Sequence, residues 1–514
     1  MLIPKEAKNI ILKLEKAGFE AYIVGGCVRD FLLGREPQDW DVTTNAKPEE
    51  IRTVFPDSFY ENNFLTVTVK TPNMEVEVTT YRLEAAYSDK RHPDNITFAK
   101  TIEADLSRRD FTVNAMAIGE KSQIPNPKSQ TNSKFKILNS KLVLVDLFGG
   151  EDDLKKKLIR TVGNPNERFS EDALRMLRSV RFATTLGFAI EENTAEAIIK
   201  NSLWIEAVSK ERIRDELVKI IMADPAKSSK MAIPSLDRGA GGPAGGIELL
   251  RQLNLLKFVL PELEENYGVS QNKHHIYDCY QHALKALEYA ANKKFSLPVR
   301  LAALLHDVAK PRVKVGDGIN STFYNHEVVG AKMAFQMLQR LKFSNQEVEN
   351  VARLVKWHMF YYNVDEVTES SVRRLARNVG PEHMEELLQV READRIGSGV
   401  PKAQPYKLRH LKYIIDKVSK DPISVKMLKV NGKDVMDVLK IQPGPRVGQI
   451  LDVLLGYVLD DPKKNTKSFL EKEITALGSL DEKKLKGLAE KSKEEKFEVQ
   501  KQENEKIKDR YYVK

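Results

Sequence analysis

Residues 25–42 read GGCVRDFLLGREPQDWDV, a glycine pair running into an arginine and followed by a D-x-D. Upstream, AYIVGG (21–26) predicts a short buried strand ending at the glycines, and VRDFLLG (28–34) predicts a helix. The β-branched pattern of WDVTT (40–44) predicts the next strand. Residues two apart in a strand share a face, so Asp39 and Asp41 are expected side by side, spaced to hold one or two divalent ions. Glu75 and Glu77 in MEVEVTTYR (74–82) repeat that spacing on another predicted strand, and either supplies a third carboxylate. Three acidic oxygens suit magnesium and an in-line phosphoryl displacement. Gly25 and Gly26 offer backbone N–H groups for a triphosphate at a helix start, and Arg29 is placed to pair with the same phosphates. Loop and carboxylates thus grip opposite sides of one metal–triphosphate complex, the arrangement of a nucleotidyltransferase site.

Around this stretch, LTVTVK (65–70), NAMAIG (114–119) and KLVLVDLFGG (141–150) read as further strands. The polar stretch 121–140 reads as a surface loop or hairpin extension. From Glu167 onward strand signals nearly vanish and helical periodicity takes over, in EDALRMLRSVRFATTL (171–186), KERIRDELVKIIM (210–222), YQHALKALEYAA (280–291) and VRLAALLHDVA (299–309). PSLDRGAGGPAGG (234–246) has the composition of an exposed flexible loop or linker. From about Leu480 the chain is dominated by Lys and Glu, as a solvated helix or a disordered tail would be.

With 514 residues, three or four domains or a stack of helical layers is expected. The composition, 41% hydrophobic and 30% charged, is that of a soluble globular protein, and no apolar run is long enough to span a bilayer. The N-terminus has the lysine and glutamate spacing of a helix that opens a domain, not the build of a secretion signal. Two cysteines, Cys27 and Cys279, leave no disulfide framework and no cysteine-based zinc site, which fits a reducing cytoplasm. The net charge of +9 favours a polyanionic partner such as nucleic acid.

GGCVRDFLLGREPQDWDVTT resembles the first motif of the class II tRNA nucleotidyltransferase and poly(A) polymerase family, relatives of the polymerase-β superfamily. Further motifs follow in the family's order: LSRRDFTVNAMAI (106–118), DLFGGEDDL (146–154), EDALRMLRSVRFA (171–183) and SKERIRDEL (209–217). The resemblance implies that Asp39 and Asp41 carry magnesium and that Glu77, not Glu75, is the third catalytic carboxylate. It implies further that Gly25, Gly26 and Arg29 hold the triphosphate, that Arg109 and Asp110 meet the ribose, and that Arg178 belongs to the nucleotide pocket. Asp172 and Arg175 lie three residues apart on one predicted helix face, where a carboxylate can accept from the amine of C or A and a guanidinium can donate to the ring nitrogen. U and G present a carbonyl oxygen where the amine should be, so the pair rejects both. By the resemblance, this pair is the template; Glu171 is placed to hold the arginine. Residues 82–104 match the family's flexible loop, which argues against an enzyme that adds C alone.

A second series runs through QHALKAL (281–287), LLHDVAKP (304–311), NHEVVGA (325–331), KWHM (356–359) and READR (391–395). It resembles the HD superfamily of metal-dependent phosphohydrolases, with His282, His306, Asp307 and Asp394 as the metal set and His326 and His358 adding a second divalent ion. His274 and His275 fall outside that pattern.

The expected architecture is α+β: a polymerase-β-like head with a mixed β-sheet over 1–150, a helical neck with the base-selecting motif over 151–230, and a helical HD-like domain over 231–395. A helical tRNA-binding tail over 396–475 and a charged extension over 476–514 complete it. The expected activity is CCA addition to tRNA 3′ ends from CTP and ATP. The alternatives are a poly(A) polymerase or A-adding enzyme on the same scaffold, an HD phosphohydrolase with an RNA-binding head, and a non-catalytic RNA-binding protein.

Overall fold

The computed structural model describes residues 3–61, 66–85, 95–120, 135–138, 142–224, 241–272, 276–364, 366–419 and 425–513. The centre of the expected flexible loop (86–94), most of the polar stretch 121–140, residues 234–240 of the Gly-rich stretch, and His274 and His275 lie outside the described residues.

The chain forms two compact units: Met1–Met359 with Glu386–Pro401, and Phe360–Glu385 with Lys402–Lys514. The first unit opens with the helix Lys5–Lys16, whose Ala7, Ile10, Ile11 and Leu14 form the buried stripe that its spacing predicts. The strands that follow are β1 Ala21–Val24, β2 Asp41–Thr44, β3 Ser58–Glu61, β4 Thr66–Lys70, β5 Glu75–Thr80, β6 Arg82–Ala85, β7 Asn95–Phe98, β8 Met116–Glu120, β9 Phe135–Ile137 and β10 Leu142–Asp146. Eight of them form one sheet in the order β3-β4-β5-β2-β1-β8-β10-β9. The β2–β5 pair is parallel and the other neighbours are antiparallel, so the sheet is mixed as expected. Strands β6 and β7 pair as a separate antiparallel ribbon where the sequence suggested only a flexible loop, and the helix Ile102–Ser107 follows them.

Periodicity sets the faces. In β5, Val76 and Val78 are buried while Glu75 and Glu77 stay open, the period-2 pattern of a half-buried strand. Gly25, at φ +87°, makes the corner between β1 and the helix Gly26–Leu32.

Beyond the head, the described residues of the unit form helices apart from a two-strand parallel pair, Leu158–Ile159 with Ala189–Ile190. The helices Leu174–Leu186 and Lys210–Ile221 pack together and bury Met176, Leu177, Val180, Ile213, Leu217 and Ile220. Residues 243–246 of the Gly-rich stretch are not an exposed linker: they open the helix Pro243–Gln252, whose Gly245 and Gly246 are buried. A methyl at Gly246 would lie 2.5 Å from Thr184 Oγ1 and 2.6 Å from Ile220 Cγ2, so glycine there permits close helix contact. The HD region follows as Cys279–Asn292, Leu297–Leu305, His326–Arg340, Asn345–Trp357 and Met384–Gly397.

Among the described residues, the regular elements of the second unit are helices, and it holds its own core of Val435, Ile450, Leu454, Leu470, Ile474 and Leu485. Its charged end is a 29-residue helix, Glu482–Arg510, with only Leu485, Ala489, Ser492 and Ile507 buried. No described helix is long and apolar enough to cross a membrane.

Candidate active site and metal cluster

The strand register places Glu77 directly opposite Asp41 across the parallel β2–β5 pair, while Glu75 pairs with Lys70 on β4. Burial first, and then the charge of Glu77, push the Asp41 carboxyl up to about 6 against the pull of Arg109. Asp39 is not on the strand, contrary to expectation. Strand β2 begins at Asp41 because its neighbour β1 has already turned away at Gly25, which leaves Asp39 in an exposed bend, still close enough to add to the charge felt by Asp41. Accordingly the three carboxylates do not converge within 4.8 Å of one another.

A methyl at Gly25 would sit 3.0 Å from Arg109 Nη1 and 3.5 Å from Asp41 Oδ2, so the missing side chain lets both groups close over the glycine turn. Arg109 is steadied by the buried Asp105, 3.4 Å away. Arg29 lies against Gly26; its Nη1 donates to Asn114 Oδ1 at 2.8 Å, and its Nε and Nη2 donate to Asp30. Asp110 is buried and accepts three N–H bonds, from Arg178 Nε (2.8 Å), the Phe111 amide (2.9 Å) and Asn114 Nδ2 (3.2 Å), and pairs with Arg178 Nη2 at 2.6 Å. Burial alone would raise its pKa, but Arg178 and then Arg175 hold it down at about 2. Asp110 thus ties Arg178, through Asn114, to Arg29. Gly25 and Arg109 lie against Asp41, and Arg29, packed on Gly26, is joined through Asn114 to Asp110 and Arg178.

In the neck, Asp172 and Arg175 do not share one helix, contrary to expectation. The helix Pro165–Glu171 stops at Asp172 (φ −144°, ψ 103°), and Leu174–Leu186 starts afresh. The cause is local: Asp172 Oδ1 accepts the Leu174 amide at 3.1 Å, a side-chain-to-backbone bond that competes with helix continuation. Arg175, nearly buried, is held by Glu171, as the sequence suggested, and donates to the carbonyls of Arg168 (3.2 Å) and Arg108 (3.1 Å).

The six HD residues come together, all buried. His282, His306 and Asp394 offer ligand atoms within 4.8 Å of one another, and so do Asp307, His326 and His358. Asp307 links the two groups: its Oδ2 lies 3.1 Å from His282 Nε2 and 3.3 Å from His306 Nε2, its Oδ1 3.2 Å from His326 Nε2 and 3.7 Å from His358 Nε2. Against the cost of burial, Asp307 pushes His306 up to about 10, whereas burial and then His306 push His358 down to about 3. Imidazoles and carboxylates converging in a buried cluster are the donor set of a transition metal.

Residues 21–160 match the family model of the Poly A polymerase head domain, 187–232 that of the probable RNA and SrmB-binding site of polymerase A, and 275–398 that of the HD domain. Over 486 residues the chain is 30% identical to the CCA-adding enzyme of Ligilactobacillus salivarius (strain UCC118), covering 91% of this chain and 98% of that one. The chain belongs to the CCA-adding enzyme family. A CCA-adding enzyme of Lactobacillus delbrueckii subsp. bulgaricus is 41% identical over 256 residues, and the matched part spans 59% of that relative's length. Among solved structures, the Bacillus stearothermophilus CCA-adding enzyme in complex with CTP shares 26% identity at a TM-score of 0.55, covering 92% of this chain and 98% of that one.

Sequence reasoning missed the partners that hold the expected site residues: Asp105 behind Arg109, Asn114 between Arg29 and Asp110, and Arg212 on Asp172. Arg212 lay within the quoted SKERIRDEL motif, and nothing in its spacing singles out a partner 40 residues away.

Proposed function

We propose that the chain adds C, C and A to tRNA 3′ ends from CTP and ATP, without a nucleic-acid template, by attack of the RNA 3′-OH on the α-phosphate. The 3′-OH gives up its proton to solvent as a bond forms between the 3′ oxygen and the α-phosphorus, the bond from that phosphorus to the β-phosphate oxygen breaks, and pyrophosphate leaves with that electron pair. The placement of Asp41 against Glu77, beside the Gly25 turn and Arg109, carries the reading. Burial first, and then the charge of Glu77, raise the Asp41 pKa, and a bound cation would offset both, so Asp41 and Glu77, with Asp39 swinging in from its bend, fit magnesium. Magnesium there supplies charge neutralisation for the triphosphate and acidity for the attacking hydroxyl. Gly25 and Gly26 receive the phosphates at the helix start, and Arg29 and Arg109 pair with them. The Asp110–Arg178 pair fixes the wall on which the ribose rests. Asp172 and Arg175 present the edge that C and A share, and the basic surface holds the tRNA by its phosphates.

The converging HD cluster favours a second activity: hydrolysis of phosphate esters at RNA ends, with His282, His306, Asp307, His326, His358 and Asp394 holding a transition metal.

Incorporation of labelled CTP into a tRNA that lacks CCA, with magnesium, tests the first reading. Asp41→Ala should lower the rate by at least about a hundredfold while the protein stays folded; wild-type rates in that variant would refute the site.

A further inference from the structure

Asp172 sits at a helix break, so helix geometry does not aim its carboxylate. Arg212 does, from the first turn of Lys210–Ile221. Its Nη1 donates to Asp172 Oδ1 at 3.2 Å and its Nη2 to Oδ2 at 2.7 Å, a two-point fork with both side chains mostly shielded from solvent. One turn further along the same helix, Glu216 pairs with Arg181 on the Leu174–Leu186 helix at 2.7 Å. Two ion pairs of opposite polarity thus clamp one helix face across the base-selecting segment, over the buried Ile213, Leu217 and Ile220.

We propose that Arg212 is the positioning residue that sets base choice at Asp172. This rests on the reading of Asp172 and Arg175 as the template. A carboxylate offers about four lone-pair sites. Arg212 fills two and the Leu174 amide fills one, which leaves a single acceptor aimed in one direction. On the partner side, Arg175 spends both Nη1 hydrogens on Arg168 O and Glu171, and one Nη2 hydrogen on Arg108 O. The Nε–H and one Nη2–H stay open among the described contacts. One acceptor beside two donors matches C, with its amine, ring nitrogen and O2, and accepts A through its amine and ring nitrogen. U and G set a carbonyl oxygen against the one remaining acceptor. Without the fork, the Asp172 carboxylate can turn and offer other lone pairs, or swing away and let U in. Lysine at this position keeps the charge and loses the fork.

The test is a mutant cycle on the full chain: Arg212→Ala, Arg212→Lys, Asp172→Ala, and the Asp172→Ala/Arg212→Ala double variant. The readouts are the ratio of kcat/KM for CTP over UTP on a tRNA ending before CCA, and for ATP over GTP on one ending after CC. Arg212→Ala should lower both ratios on the order of tenfold or more. Arg212→Lys should fall between it and wild type, and the double variant should discriminate no worse than Asp172→Ala alone. If Asp172→Ala loses discrimination while the Arg212 variants keep it, whatever happens to kcat, the role of Arg212 is refuted and the template reading stands. If Asp172→Ala keeps discrimination, the template reading itself fails. Should Arg212→Ala not fold, Arg212→Lys decides: a wild-type ratio overturns the proposal and a lowered one upholds it.

Discussion

Asp41 joins strand register to chemistry. Its carboxyl, pushed up to about 6 by burial and by Glu77, is protonated below that pH, so a bound divalent ion must expel the proton. Calorimetric titration of magnesium in buffers of different ionisation heat should therefore show roughly half a proton released near pH 6 and almost none at pH 8. A release that does not vary with pH would contradict the account. Asp110 has the opposite sign. Burial opposes its charge, but Arg178 and Arg175 hold it at about 2, below the ordinary 3.8. The stability it contributes is present above 3.8 and is lost as pH falls through 2, and it amounts to about 2 kcal/mol. Asp110→Asn should lower the denaturant midpoint of the first unit at pH 7, and the gap from wild type should narrow as the pH drops towards 2. A gap that does not change with pH would mean that Arg178 and Arg175 do not hold the carboxylate down.

At the scale of elements, what the sequence revealed and what it hid have separate causes. Glu77 beside Asp41 was legible because a strand repeats every two residues, and Val76 and Val78 name the buried face. The six HD residues were legible as short motifs, and they come together where the five helices that carry them pack. Asp39 was misplaced because where a strand begins depends on its neighbours: β1 turns away at Gly25, three-dimensional information absent from WDVTT. The break at Asp172 was hidden because EDALRMLRSV has unbroken helical periodicity; the aspartate's preference for capping a following helix was the signal available. Gly245 and Gly246 read as linker by composition alone, although glycine also serves where helices approach closely. That last point is testable. Gly246→Ala gains helix propensity of about 1 kcal/mol but drives a methyl to 2.5 Å from Thr184, an overpacking cost of about 1–3 kcal/mol. Thermal melts should show a lower Tm for Gly246→Ala and a larger drop for Gly246→Val, and an unchanged or higher Tm would show that the contact yields without cost.

On the scale of the whole molecule, the first unit carries two separate chemical centres, carboxylates beside a glycine turn in the head and an imidazole–carboxylate cluster in the HD region. Hard oxygen donors and mixed nitrogen–oxygen donors select different metals. Elemental analysis of the purified full chain should find on the order of one or two transition-metal ions per chain, lost in His306→Ala and Asp307→Ala. Wild-type protein that takes up no such ion even when it is supplied would remove the second activity. Ordered base choice by the head and neck can be read in a single assay. Each labelled nucleoside triphosphate is offered, with magnesium, to three tRNAs ending before CCA, after C and after CC. Two C, then one A, then termination are expected, with U and G rejected throughout; A added only to the CC end, long A tails, or no incorporation at all would overturn CCA addition by this chain.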